Sequence, residues 1–195
     1  VTFRLVSPKA VKVEITGDLL EQQPVKTNRG MEMAPVPVEM KENADGVWEL
    51  TTPKPLEPEL YRYAYIVDGL RILDPNNVHI IRDVAEMCNI FIIGGGQADL
   101  YKVQDVPHGT VASVWYDSPA VGFDRRITVY TPAGYENKAN AKKRYPVIYI
   151  LHGAGGDEEA WLHLGRATQI LDNLIAAGKA EPMIAVFTNE YMNQE

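Results

Sequence analysis

The stretch LHGAGGDEEAW, Leu151 to Trp161, holds the residue types in this chain best suited to chemistry. An apolar run ends at His152, four small residues follow it (Gly153, Ala154, Gly155 and Gly156), and Asp157, Glu158 and Glu159 lead into a helical pattern. Small residues let peptide N–H groups face a ligand without obstruction, and a helix start adds a favourable dipole. Such a loop can stabilise the tetrahedral oxyanion of an acyl transfer. The same residues also suit a tight glycine turn between strand and helix, with His152 simply hydrogen-bonded in the core. The pentapeptide HGAGG admits both readings.

An oxyanion site serves a nucleophile, and the candidates are few. The serines are Ser7, Ser113 and Ser118, none of them in a G-x-S-x-G setting. His79, His108, His152 and His163 all precede the place where a triad histidine would lie. Cys88, in AEMCNIFII, reads as a buried small hydrophobe in an apolar strand, and a single cysteine makes no internal disulfide. GGGQAD, Gly94 to Asp99, follows a strand, but Asp99 stands where a dinucleotide loop needs its third glycine, so it reads as a flexible joint. Glu159 and His163 are four apart, a spacing that could serve a metal, with Asp157 and Glu158 nearby. Acidic residues opening a helix are more simply explained by the dipole and capping, so no metal and no cofactor is expected.

Two patterns of chain must position these residues. Up to about Leu100 the sequence reads as short strands and turns: FRLVSP, VKVEITG, GVWELTT and YRYAYIVDG. EQQPVKTNRGMEMAPVPVEM, broken by Pro24, Pro35 and Pro37, reads as loop with at most an edge strand. About seven short strands in roughly 100 residues suggest a β-sandwich. Alternation puts Tyr61, Tyr63 and Tyr65 on one face, which is either core or, with Trp48, an exposed aromatic platform for sugar. The four are not expected all to point inward. From Val103 the strands TVASVWY, RITVYTP, PVIYIL and PMIAVFT surround a helical pattern, with Ala167, Ile170, Leu171, Leu174 and Ile175 at helical spacing and Gly178 as its stop. Strand, loop, helix and parallel strand is the βαβ order of an α/β sheet.

Composition narrows the partners. With 46% hydrophobic and 23% charged residues the chain is ordinarily globular. A net charge of −7 and no basic run argue against nucleic acid. No apolar run approaches the roughly 20 residues of a membrane span. The chain opens on Val1 without a signal segment, which leaves room for a leader removed or omitted upstream.

VPHGTVASVWYDS, RRITVYTPAGYE, YPVIYILHGAGGDEEAW and GRATQILDNLIAAGKAEPMI, taken in order, resemble the esterases of carbohydrate esterase family one. That group includes feruloyl and acetyl-xylan esterases and is similar to the enterochelin and D-type esterases. The resemblance implies an α/β-hydrolase fold over 101–195, with the backbone N–H groups of Ala154 and Gly155 in the oxyanion hole and His152 and Gly153 shaping the turn. Trp161 would wall the acyl pocket or pack in the core. GVWELTTPKPLEPELYRYAYIVDGLRILDPNN resembles the early-set, immunoglobulin-like domain, related to family-48 carbohydrate-binding modules, that precedes branching enzymes and some of these esterases, here over 1–100.

Together these imply a serine esterase acting on acyl esters of plant polysaccharide, secreted or periplasmic, without cofactor. The chain is expected to hold the first half of its hydrolase domain, to stop before the nucleophile elbow, and to be inactive alone. The strand at 183–188 is expected to be left as an apolar edge through which chains self-associate. A non-catalytic carbohydrate-binding module and a hydrolase-like interaction protein without a triad are the alternatives.

Overall fold

The structure, a computed structural model, describes residues 1–27 and 30–191. The chain divides into two compact units, one of residues 1–81 and 87–98, the other of 82–86 and 99–195.

The first unit is built from strands alone apart from the start of a 3-10 turn at Gly96–Tyr101. One sheet pairs β1 (Thr2–Val6), β7 (Val47–Thr51) and β6 (Lys41–Glu42). A second runs β10 (Ile80–Asp83), β11 (Glu86–Ile92), β8 (Leu60–Val67), β2 (Val13–Gly17) and β5 (Val38–Glu39), with β9 (Leu70–Ile72) also on β8. Both sheets feed one apolar core: Phe3, Leu5 and Trp48 from the first, Val13, Ile15, Tyr63 and Tyr65 from the second.

The tyrosine face of β8 is therefore core. Tyr63 and Tyr65 are buried, and Tyr61 lies at the margin, stacked on Phe91 at 5.3 Å. The Trp48 indole donates to the Ser7 carbonyl. No exposed aromatic row remains on this strand, which removes the basis for a sugar platform there. Asp74 explains why three polar groups tolerate such depth: it accepts from the Tyr63 hydroxyl at 2.7 Å, and its own N–H donates to Asn89. Cys88 is buried, as a small hydrophobe should be.

The segment read as loop differs from expectation. β3 (Gln22–Thr27) and β4 (Gly30–Pro35) form an antiparallel ribbon of their own. Pro24 faces Met33 and Pro35 faces Gln22, so both prolines fall in the same alternate set of pairs. An antiparallel ribbon leaves one such set without mutual hydrogen bonds, where a missing N–H costs nothing. The joint at Gly94–Asp99 is likewise more ordered than a flexible link, since the 3-10 turn begins inside it.

The second unit carries a four-stranded sheet in the order β12 (Thr110–Ser118), β13 (Phe123–Thr131), β15 (Ile184–Thr188), β14 (Val147–Leu151). β15 runs antiparallel to β13 and parallel to β14, and α2 (Ala167–Ala176) makes the crossover between β14 and β15. Ala167, Leu171 and Ile175 of α2 pack on Tyr130, Ala185 and Phe187. This topology corrects the expected edge. Residues 185–187 are paired on both sides, and Ala185 and Phe187 are 0% and 1% exposed. The edge beside β15 is β14, where Val147, Ile148, Tyr149 and Leu151 are all exposed, and β12 is the opposite edge.

One buried carboxylate organises the start of this sheet. Asp172, on the inner face of α2, accepts from the Gly109 N–H at 2.9 Å and the Tyr130 hydroxyl at 2.7 Å, and contacts His108 Nδ1 at 2.9 Å. Burial and the Asp172 carboxylate raise the Tyr130 hydroxyl well above its ordinary pKa. A side chain at Gly109 has no room, because a Cβ there would meet the Tyr130 ring at 2.2 Å. Asp172→Ala strands a hydroxyl and a peptide N–H in the core, and we expect a loss of about 3 kcal/mol. The urea midpoint of the variant against the parent checks this, and a loss under about 1 kcal/mol would mean water replaces the carboxylate freely.

Candidate functional site

The loop Gly153–Glu159 leaves the carboxyl end of β14 and enters α1 (Ala160–His163). The end of a parallel strand is where open α/β sheets place their ligand sites. The loop holds itself with little: the Gly156 N–H donates to the Gly153 carbonyl at 3.0 Å. The N–H groups of Ala154 and Gly155 bond nothing among the described residues. Beside them lies a cavity of about 270 Å³ lined by Gly153, Ala154, Gly156, Trp161, Leu164 and Val84. Two unbonded donors next to an open cavity can receive an anion or a polarised carbonyl oxygen.

Gly155 can be no other residue without rearrangement. Its φ is +83°, and a Cβ would stand 2.5 Å from Val84 Cγ1. Val84 belongs to the short segment 82–86 that the second unit incorporates. From that segment Arg82 also pairs with Asp157. No motif in the sequence marks Arg82 or Val84 as neighbours of the loop.

His152 stands at the near end of the loop. Its Nδ1 contacts the Gly153 carbonyl at 2.8 Å, and its Nε2 meets the Glu190 N–H at 3.1 Å. A carbonyl only accepts and an N–H only donates, so these two bonds require the neutral Nδ1–H tautomer. The ring is stacked on Tyr191 at 5.6 Å. His152 is thus committed to holding the backbone. The Trp161 indole donates to the Leu151 carbonyl at 2.7 Å, and the residue lines the cavity at 46% exposure, so it is not core packing.

The acidic run fits the capping reading only in part: Asp157 Oδ1 accepts from the Glu159 N–H at 3.0 Å. Glu159, at the N-cap of α1, makes no side-chain cap bond, and the helix has only four residues. Instead each carboxylate meets an arginine: Asp157 with Arg82, Glu158 with Arg126 Nε, and Glu159 with Arg126 at 3.1 Å. Glu158 is the deepest, at 3% exposure, and also accepts from Asn189 Nδ2 at 2.9 Å. Burial alone would raise its pKa, but the bonds from Arg126 and Asn189 outweigh that and hold it below the usual glutamate value. Among the described residues no group of acidic, histidine or cysteine side chains has a metal-binding arrangement.

The three serines stay apart from this chemistry. Ser118 is buried at the end of β12, where its carbonyl accepts the Val121 and Gly122 N–H groups. Ser113 faces Thr128 within the sheet, and Ser7 accepts from Trp48 through its carbonyl. None of them hydrogen-bonds a histidine among the described residues. Among the described residues no helix is long and apolar enough to cross a membrane.

The chain is similar to known proteins in sequence and in fold. Residues 118–194 match the family described as "Putative esterase". Over 158 residues the chain is 34% identical to an endo-1,4-beta-xylanase/feruloyl esterase of Xylanibacter ruminicola, an alignment covering 78% of this chain and 22% of that protein. The fold is similar to the crystal structure of ferric enterobactin esterase from Salmonella typhimurium, with a TM-score of 0.60 and 14% identity over 96% of this chain and 52% of that one. The enterobactin esterase of Shigella flexneri gives a TM-score of 0.60 and 15% identity over 96% of this chain and 50% of that one. The chain therefore spans about a fifth of the curated relative it matches.

The lowered pKa of Glu158 has a definite sign in stability. A carboxylate whose folded pKa is depressed stabilises fully above its unfolded pKa, and the contribution is lost as pH falls through the folded value. Glu158→Gln is expected to cost about 2 kcal/mol near neutral pH and progressively less in acid. Tm measured from about pH 7 down to about pH 3 should show the two curves converging below the ordinary glutamate pKa, and parallel curves would overturn the assignment.

Proposed function

We propose that this chain supplies the oxyanion-binding part of a carboxylic-ester hydrolase of the feruloyl or acetyl-xylan esterase type. The observation that carries the reading is the pair of unbonded N–H groups at Ala154 and Gly155, on a loop that borders a cavity at the end of a parallel strand. In acyl transfer such donors stabilise the alkoxide-like oxygen of the tetrahedral intermediate, and losing one costs on the order of 10²-fold to 10³-fold in rate. The 34% identity to an endo-1,4-beta-xylanase/feruloyl esterase supports an aromatic acyl ester on plant polysaccharide as substrate.

On this reading the nucleophile is a serine outside these 195 residues, activated by a histidine and an acid that also lie outside them. Trp161 walls the acyl cavity, His152 and Gly153 hold the turn, and no cofactor takes part. The first unit is an immunoglobulin-like sandwich that packs and positions, and the protein works in a secreted or periplasmic setting.

The 195-residue chain alone is expected to hydrolyse p-nitrophenyl acetate and methyl ferulate no faster than buffer. Joined to a segment that carries G-x-S-x-G with its acid and histidine, it should cleave methyl ferulate and lose that activity to a serine-directed phosphonate. Phosphonate-sensitive turnover by the chain alone would overturn the external nucleophile. Failure of the joined protein to cleave any aryl or acetyl ester would overturn the esterase reading.

A further inference from the structure

Loop Gly153–Asp157 must keep two donors unbonded and still keep its shape, which it cannot do with one internal hydrogen bond. Its two flanks are tied down elsewhere. On the near flank, His152 Nε2 accepts from the Glu190 N–H, and its ring stacks on Tyr191. On the far flank, Glu158 accepts from Asn189 Nδ2 at 2.9 Å. Both ties end on three consecutive residues, Asn189, Glu190 and Tyr191, which directly follow β15.

That tripeptide is itself fixed. The Asn189 side-chain oxygen accepts from the Tyr191 N–H at 2.9 Å, which closes it into an Asx-type turn. The Asn189 carbonyl accepts from Arg125, and the neighbouring Arg126 holds Glu158. Arg125 and Arg126 both lie on β13, which pairs with β15. The chain of contacts thus runs from the sheet, through two arginines, to Asn189 and Glu158, and from there to both ends of the loop.

We propose that Asn189–Tyr191 is a clasp that sets the geometry of the oxyanion loop, with Asn189 as its central positioning residue. The inference rests on the esterase reading for its purpose, but its structural claim concerns the loop alone. A positioned donor is worth most when it needs no reorganisation at the moment charge develops. Asn189 suits this because one amide both donates to the Glu158 carboxylate and accepts from Tyr191, which neither a carboxylate nor an apolar isostere can do.

Asn189→Asp places a second carboxylate against Glu158 and removes the donor. Backbone ¹⁵N order parameters of the 195-residue chain test this directly. The parent loop amides at Ala154, Gly155 and Gly156 should sit near about 0.85, and in the variant near neutral pH they should fall below about 0.6. Amides of β13 and β15 should keep their parent values. If Asn189→Asp does not fold, Tyr191→Ala decides: it removes the exposed ring from His152 and should loosen the same three amides without touching the sheet. In the protein joined to a nucleophile segment, Asn189→Asp should lower kcat about tenfold to a hundredfold with KM little changed.

Unchanged loop order, or equal loosening of β13 and β15, overturns the clasp. Loop order lost in the variant while the sheet amides keep their parent values supports it even if the joined protein cleaves no ester, so the two readings fail separately.

Discussion

A peptide N–H without a partner is costly in a folded protein, and nearly all buried ones are bonded. The loop after β14 tolerates two, at Ala154 and Gly155, beside an open cavity where water or a ligand can reach them. Backbone kept free for a ligand cannot use its own hydrogen bonds for rigidity. The stiffness has to come from the residues around it, and much of the second unit is arranged to that end. Gly155 adopts a left-handed conformation against Val84, His152 spends both ring nitrogens on backbone, and the Trp161 indole is tied to the strand end.

Charge serves the same purpose. Three consecutive carboxylates would repel one another and open the loop if left to themselves. Arg82 and Arg126 neutralise them, and the deepest, Glu158, is joined by the Asn189 amide. A buried ion pair contributes little net stability compared with apolar packing, but breaking one partner is costly. The pairs therefore act as locks on geometry more than as sources of stability. Asp172 plays a similar part below the sheet, gathering Gly109, Tyr130 and His108 onto one helix face.

The first unit shows how chemistry-bearing residue types can be spent on structure. Tyr63, Tyr65 and Trp48 have the surfaces that stack on sugars, yet they fill the space between two sheets. Their polar ends are satisfied inside, at Asp74, Arg4 and Ser7. An aromatic with a satisfied hydroxyl is good core material, since it buries a large area and leaves no unpaired group.

Local pattern determined a good deal by itself. Period-two alternation and bounding Gly and Pro located the strands FRLV, VEITG, VWELT and YRYAYIV, and the spacing of Ala167, Leu171 and Ile175 located α2, because these depend on one face of one element meeting a core. The small residues of HGAGG likewise announced a loop able to present amides, since that property belongs to the backbone without side chains. Only the tertiary structure decided the rest. Which strand forms an edge depends on sheet order, and that put β15 inside and β14 outside. The ribbon of β3 and β4 depends on both prolines falling in one alternate set of pairs, which is a matter of register between segments. The fate of the acidic run depended on Arg82, 75 residues from Asp157, and on Arg126, 32 residues from Glu158. Contacts across such distances leave no periodicity in the chain, because the sequence records what each element needs to bury and only folding chooses the partner that meets it.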